Sequence, residues 1–247
     1  MKFCIAVPTK SRVEVLKKFL RRVGNPKYTY VITVEKSEWD LYKDVRESHI
    51  YVNWLRIADN SGVGYARRVL AEWSIRHGFD YTFFSDDNAY WSINKLHKFI
   101  TVIHYNPHIH WLSGYNAFYK LMHKKDCIRS LYTTDVANVV YVLRNTTLSK
   151  RNFNPAITYN EDNYLNLAWR KLLYPLNVVY VYKGFTFTKK RHEQGGCTSY
   201  KTHKNILRNV QLLQQCHGKD IVKLRIKDGH PEIRICWYKL PKPKEVS

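Results

Sequence analysis

Four short segments carry side chains whose types and spacing could do chemistry. Asp86-Asp87-Asn88 directly follows an apolar run, Tyr81 to Phe84, that reads as a strand. Carboxylates in that position stand at the carboxyl edge of a sheet, where open α/β folds hold ligands. Adjacent carboxylates repel, and a divalent cation beside them keeps both ionised; hard oxygen ligands suit Mg²⁺ or Mn²⁺ bridging to a diphosphate. A solvated acidic turn or a helix cap accounts for the pair equally well. A second acidic pair, Glu161-Asp162, heads a run with helical spacing of Leu165, Ala168, Trp169 and Leu172. Capping alone explains acids there. Facing the same cleft as Asp86 and Asp87, one of them could act as general base toward an acceptor hydroxyl.

The other two segments are cationic. Asp59 to Arg68 joins a strand to a helix through Gly62-Val63-Gly64, with Arg67 and Arg68 following. Two glycines permit close backbone approach, and a free helix N-terminus suits phosphate. The segment is neither the dinucleotide fingerprint, since Arg67 occupies its third glycine position, nor a Walker loop, since no Gly-Lys-Ser/Thr follows. Lys189-Lys190-Arg191-His192 comes after a further strand, and its cations suit a diphosphate or a DNA backbone.

In the first half of the chain the elements that must position these groups alternate in the manner of a doubly wound sheet. Strand-like runs are Phe3 to Val7, Tyr28 to Val34, Val52 to Ile57 and Tyr81 to Phe84, with helices expected over Val13 to Val23 and Tyr65 to His77. Further along, Lys95 to Tyr105 reads as helix, His110 to Leu121 and Asn138 to Leu143 as extended, and Glu161 to Leu173 as helix. Asn177 to Tyr182 and Phe185 to Lys189 read as two strands, Lys204 to Cys216 as an amphipathic helix, and Ile221 to Tyr238 as a hairpin about Asp228-Gly229. The end, Leu240 to Ser247, is expected to fray. One main α/β domain over 1–200 follows, with 201–247 packed on it as a basic extension.

With 247 residues, 45% of them hydrophobic, the chain can bury a sizeable core. No stretch approaches a membrane span and the first residues are too short for a signal-peptide core, so a cytoplasmic protein is expected. The cysteines, Cys4, Cys127, Cys197, Cys216 and Cys236, are scattered without a CxxC pair and read as reduced structural thiols. Charge is the informative quantity: 41 Lys+Arg against 20 Asp+Glu gives a formal +21. Such a surface seeks polyanions, and with no polybasic tail or terminal amphipathic helix, nucleic acid is the expected partner over a membrane. Tyr90, Trp91, Tyr115, Phe118 and Tyr119, near Lys120, Lys124 and Lys125, are candidates for contacts with an acceptor base.

Taken together and in order, Val7-Pro8-Thr9 with Arg12, Gly62 to Arg67, Phe84 to Asn88 and Asn160-Glu161-Asp162 resemble the successive motifs of GT-A glycosyltransferases. The nearest resemblance is to the group containing the kinetoplastid base-J glucosyltransferase and related phage enzymes that glycosylate 5-hydroxymethylpyrimidines in DNA, and it covers roughly residues 1 to 200. It implies a GT-A, Rossmann-like mixed sheet flanked by helices. It implies that Pro8, Thr9 and Arg12 line the nucleotide, that Gly64 and Arg67 meet ribose or diphosphate with Asn88 and Lys190 nearby, and that Asp86, Asp87 and His192 hold Mn²⁺ or Mg²⁺. Asn88 stands where a strict Asp-x-Asp would have its second acid. Asp162, or else Glu161, matches the base of inverting members. The implied reaction moves glucose from a UDP-sugar to 5-hydroxymethyluracil or 5-hydroxymethylcytosine in double-stranded DNA, in a phage-encoded enzyme of the host cytoplasm. A glycan or protein acceptor, and a non-catalytic nucleic-acid-binding module, are the other readings.

Overall fold

The computed structural model describes residues 1–116, 131–134, 140–148, 179–189, 202–227, 229–236 and 239–240. The chain opens with β1 (Phe3–Pro8), α1 (Val13–Val23) and β2 (Thr29–Glu35). After β2 come two 3₁₀ turns, Lys36–Glu38 and Asp40–Tyr42, and the short helix α2 (Lys43–Ser48). Then follow β3 (Val52–Ile57), α3 (Gly62–Arg76), β4 (Tyr81–Ser85), β5 (Ala89–Trp91) and α4 (Leu96–Tyr105). β6 (Trp111–Asn116), β7 (Leu131–Thr134), β8 (Val140–Arg144) and β9 (Val179–Lys189) complete the main sheet.

Among the described residues that sheet has nine strands in the order β3-β2-β1-β4-β8-β6-β9-β5, with β7 also on β9. The first four are mutually parallel. β8 enters antiparallel between β4 and β6, so the sheet is mixed. The first half therefore matches the doubly wound expectation, and the sheet as a whole matches the mixed sheet that the family resemblance implies. Strands β2 and β3 lie on one side of β1 and β4 on the other, which makes the gap between the carboxyl ends of β1 and β4 the topological switch point.

Burial explains why these residues form these elements. β1, β2 and β4 are nearly continuous runs of fully buried side chains, as strands covered on both faces must be. α1 turns Leu16, Phe19, Leu20 and Val23 onto one face of the sheet, and α3 turns Leu70 and Ala71 onto the other. α3 starts three residues before the expected Tyr65, because Gly62 accepts φ 80° where a side chain would be strained. β9 runs unbroken through the Lys183-Gly184 break expected between two strands. Its pairing with β6 jumps from Tyr182↔Gly114 to Thr186↔Tyr115, a bulge that folds Phe185 into the core.

β5 is too short to be seen in the hydrophobic pattern, yet it shapes the sheet. It pairs with β9, four strand intervals from β4 in the order, although only residues 86–88 separate it from β4. Four intervals of about 4.8 Å in a flat sheet would need about 19 Å, more than the ~14 Å that this connection spans even when extended. The sheet must curl, and it does so around Phe83, Trp91, Phe99 and Phe185, whose rings pack together. Trp91, a candidate for acceptor contact from its type, is instead a core residue, 5% exposed. Its indole N–H donates to Ser85 Oγ at 2.9 Å.

Behind β1 and β4 lies a small buried polar network. Ser74 Oγ of α3 accepts from Thr82 Oγ1 at 2.8 Å and from Asn145 Nδ2 at 2.9 Å, and Cys4 Sγ is 3.2 Å away. Burial raises the Cys4 thiol to about 12, so it stays protonated. Cys236 is also a buried thiol and Cys216 is exposed; Cys127 and Cys197 lie outside the described residues. Among the described residues, no helix is long and apolar enough to cross a membrane.

The helix His203–His217 and a hairpin, β10 (Val222–Lys227) with β11 (His230–Ile235), come last. They form a cluster of their own, in which Leu213, Val222 and Leu240 are buried with Leu212, Ile221, Ile233 and Ile235 packed against them. Gly229 at φ 75° supplies the turn expected at Asp228-Gly229.

Candidate active site

The switch point is where the chemistry-bearing residues of the first hundred positions meet. β4 ends on Ser85, and the chain turns at once: the Ala89 N–H donates to the Asp86 carbonyl at 3.1 Å, closing a tight turn over 86–89. Ser85 Oγ donates to the same carbonyl while accepting from Trp91, which fixes the turn against the core. The two adjacent carboxylates consequently point to different partners.

Asp87 points back under β1. Its Oδ2 accepts from Thr9 Oγ1 at 2.8 Å and its Oδ1 from Arg12 Nη1 at 3.0 Å, with the carboxylate 3% exposed. Burial pushes the Asp87 carboxyl up to about 6; Arg12 and Thr9 pull it back down and Asp86 adds to the rise. Asp86 points toward α3 and accepts from Arg67 Nη2 at 2.9 Å; it is 18% exposed against 5% for Arg67. The Arg67 guanidinium also lies 5.5 Å from the Tyr141 ring centroid. Asn88 is 3% exposed beside them.

Thus two guanidiniums from two different elements each pair with one of the two carboxylates, which eases the repulsion between these adjacent acids. Among the described residues no three His, Cys, Asp or Glu side chains gather as a cation site. A divalent cation still fits in the manner usual for Mg²⁺ and Mn²⁺, on one carboxylate with the remaining positions taken by water and substrate phosphate oxygens. Asp86 is the more open of the two acids for that purpose.

The loop from β1 to α1 forms the other wall. Tyr42 Oη accepts from the Arg12 backbone N–H at 3.0 Å and lies 3.2 Å from Thr9 Oγ1. Burial raises this phenol to about 12, so it stays neutral at physiological pH. Ser11 sits in the left-handed region at φ 52° and is clasped by Glu38, which accepts from the Ser11 N–H at 2.7 Å and from its hydroxyl at 2.5 Å. Lys10 reaches Glu35 at 2.8 Å, at the end of β2, and Asn60 at 3.4 Å, in the turn between β3 and α3. Sequence reasoning misses Tyr42, Glu38 and Glu35, since two of them lie in 3₁₀ turns without periodicity and none belongs to a spaced motif.

Of the residues expected from the sequence, the structure brings together Thr9, Arg12, Arg67, Asp86, Asp87 and Asn88 around the switch point. Pro8 ends β1, and Gly64 lies in the first turn of α3, buried like Val63. Tyr90 lies beneath Arg22, whose guanidinium is 3.9 Å from its ring centroid. Glu161, Asp162, Lys190, Arg191 and His192 lie outside the described residues, as do Phe118, Tyr119, Lys120, Lys124 and Lys125.

A parallel-to-mixed sheet with paired acids at its switch point defines an open α/β architecture, and comparison with known structures narrows it to the GT-A glycosyltransferase fold. GalNAc-T7, solved with UDP, GalNAc and Mn²⁺, aligns with a TM-score of 0.60 at 11% identity over 85% of this chain and 48% of its own. The mannosyltransferase PcManGT from Pyrobaculum calidifontis, solved with GDP-Man and Mn²⁺, aligns with a TM-score of 0.60 at 14% identity over 89% of this chain and 64% of its own. TarS 1-349 from S. aureus, solved with UDP-GlcNAc, gives 0.55 at 16% identity over 86% and 67%. The chain thus spans between about half and two-thirds of the length of these structures. No curated protein matches it by sequence. The model of the TET-associated glycosyltransferase family matches residues 3–196, and the chain belongs to that family.

Proposed function

We propose that the protein is a metal-dependent, inverting glycosyltransferase that moves glucose from UDP-glucose to the hydroxymethyl group of a 5-hydroxymethylpyrimidine in double-stranded DNA. The observation that carries the donor half of this reading is the divergence of Asp86 and Asp87 to Arg67 and Arg12 at the switch point, inside a family-matched segment. UDP or GDP-mannose with Mn²⁺ in the fold neighbours supports a nucleotide-sugar donor. The acceptor half rests on the formal charge of +21 and on the motif resemblance.

The two acids then divide their work. Asp87, held through both oxygens, is a positioning residue that locks the β1 loop, with Pro8, Thr9 and Arg12, beside the nucleotide. Asp86, with His192, would hold the cation, which would offset the charge of the departing diphosphate. Gly64 lets the head of α3 approach the diphosphate, Arg67 orients Asp86, and Asn88 and Lys190 complete the donor site. Asp162, or else Glu161, takes the proton from the acceptor hydroxyl. The oxygen so freed forms a bond to the anomeric carbon as the bond to the diphosphate breaks and UDP leaves with its electrons.

The test supplies UDP-glucose and Mn²⁺ with hydroxymethylated duplex, unmodified duplex or oligosaccharides in parallel. UDP release only with the modified duplex is the expected result; turnover on oligosaccharides alone would overturn the DNA acceptor and keep the fold reading. Because each acid is already paired with an arginine, Mn²⁺ should bind weakly by itself and at least about tenfold more tightly with UDP present. Calorimetry showing equal affinity with and without UDP would contradict the assignment of Asp86.

A further inference from the structure

The hairpin β10–β11 and its helix lie beyond the family-matched residues, which end at 196. From 202 to 240 eight lysines and arginines stand against three acids, a steeper imbalance than the 41 to 20 of the whole chain. The register concentrates part of that charge on one face. Lys223 pairs with Arg234 and Arg225 with Glu232, so these four side chains share a face of the ribbon, and all four are exposed.

Lys223 opposite Arg234 is a like-charge cross-strand pair, an arrangement that weakens a hairpin unless something anionic lies over it. The other face is apolar. Val222 and Ile235 close on Leu213 at its inner end, while further out Leu224 and Ile226 remain 42% and 62% exposed. A cationic face on a two-stranded ribbon matches the B-DNA major groove, which is about 12 Å wide and admits such a ribbon. The deep, narrow major groove of A-form RNA does not admit it.

We infer that the hairpin Val222–Ile235 is a docking ribbon for double-stranded DNA, with Lys223, Arg225 and Arg234 on the phosphate backbone, outside the donor site. Residues on one face of a strand recur about every 6.7 Å, so the cationic face follows successive phosphates rather than gripping one. The inference deepens the DNA-acceptor reading and rests on it.

The test uses the full chain with Lys223→Gln, Arg225→Gln and Arg234→Gln combined. Binding to unmodified duplex is followed by fluorescence anisotropy across a salt series without donor, and UDP binding is measured alongside. The expected result is a slope of log K against log salt shallower by about 2 to 3, at about 0.9 for each phosphate left unneutralised, with UDP affinity unchanged. The variant Lys223→Arg with Arg234→Lys should bind as the parent does. An unchanged slope overturns the ribbon and leaves glycosyl transfer to DNA standing. A parent that binds UDP but no duplex overturns both, and ribbon-dependent binding to phosphatidylserine vesicles in place of duplex would make the surface a membrane-docking one and overturn the DNA ribbon.

Discussion

The switch point and the hairpin use the same cationic side chains to opposite ends. At the switch point Arg12 and Arg67 are about nine-tenths buried or more, and each is matched to a carboxylate of the 86–89 turn. On the hairpin Lys223 and Arg234 face each other across the ribbon, exposed to solvent. A buried guanidinium must be paired or it destabilises the fold, whereas an exposed one costs little and is available to a partner. Net charge alone, which counts both kinds equally, reports the second region and conceals the first.

The largest effect that would sharpen this contrast is on stability. Arg12→Met leaves Asp87 without its cation in a buried site and should cost about 3–5 kcal/mol in urea unfolding, while Arg12→Met with Asp87→Asn recovers part of it and Arg225→Met costs nothing comparable. Next comes pH. The Asp87 carboxyl is raised from 3.8 to about 6 in the folded protein, so the folded state binds the extra proton between these values. The contribution of Asp87 is fully favourable below about pH 4 and fades as pH rises through 6, by about 3 kcal/mol. In UDP-free, chelated protein Asp87→Asn should remove that slope from the dependence of Tm on pH; an unaltered slope would mean that Arg12 already holds Asp87 ionised.

Smaller effects test the wall of the site. Glu38→Ala frees the Ser11 N–H and hydroxyl and should cost about 1–3 kcal/mol; Ser11→Gly, which removes the left-handed strain at φ 52°, should win back a fraction of it. Smallest of all, neutralising Lys223, Arg225 and Arg234 together should change unfolding free energy by no more than about 0.5 kcal/mol. A large loss there would make the ribbon a structural element and blur the distinction between the two regions.

The same distinction separates what the sequence discloses from what it hides. The parallel strands β1 to β4 are legible because each is a short apolar run closed by a turn, and the acids are legible because they directly follow one. The arginines are visible as residues but not as partners. Nothing in the spacing of Arg12 or Arg67 says that the 86–89 turn will send one carboxylate to each, because that depends on Ser85, Trp91 and the curl of the sheet. Tyr42 and Glu38 are invisible for a similar reason: they reach residues about thirty positions away, from turns that have no period. β5 escapes notice because three residues are too few to alternate.

The three residues between β4 and β5 also tie together two distant parts of the sheet. The acids ride on a tether with almost no slack, anchored at one end in the middle of the sheet and at the other in β5, the strand beyond β9 at its far edge. A shift of that edge cannot be absorbed along so short a path, so it is transmitted to the carboxylates; the far margin of the sheet and the acid pair behave mechanically as one piece.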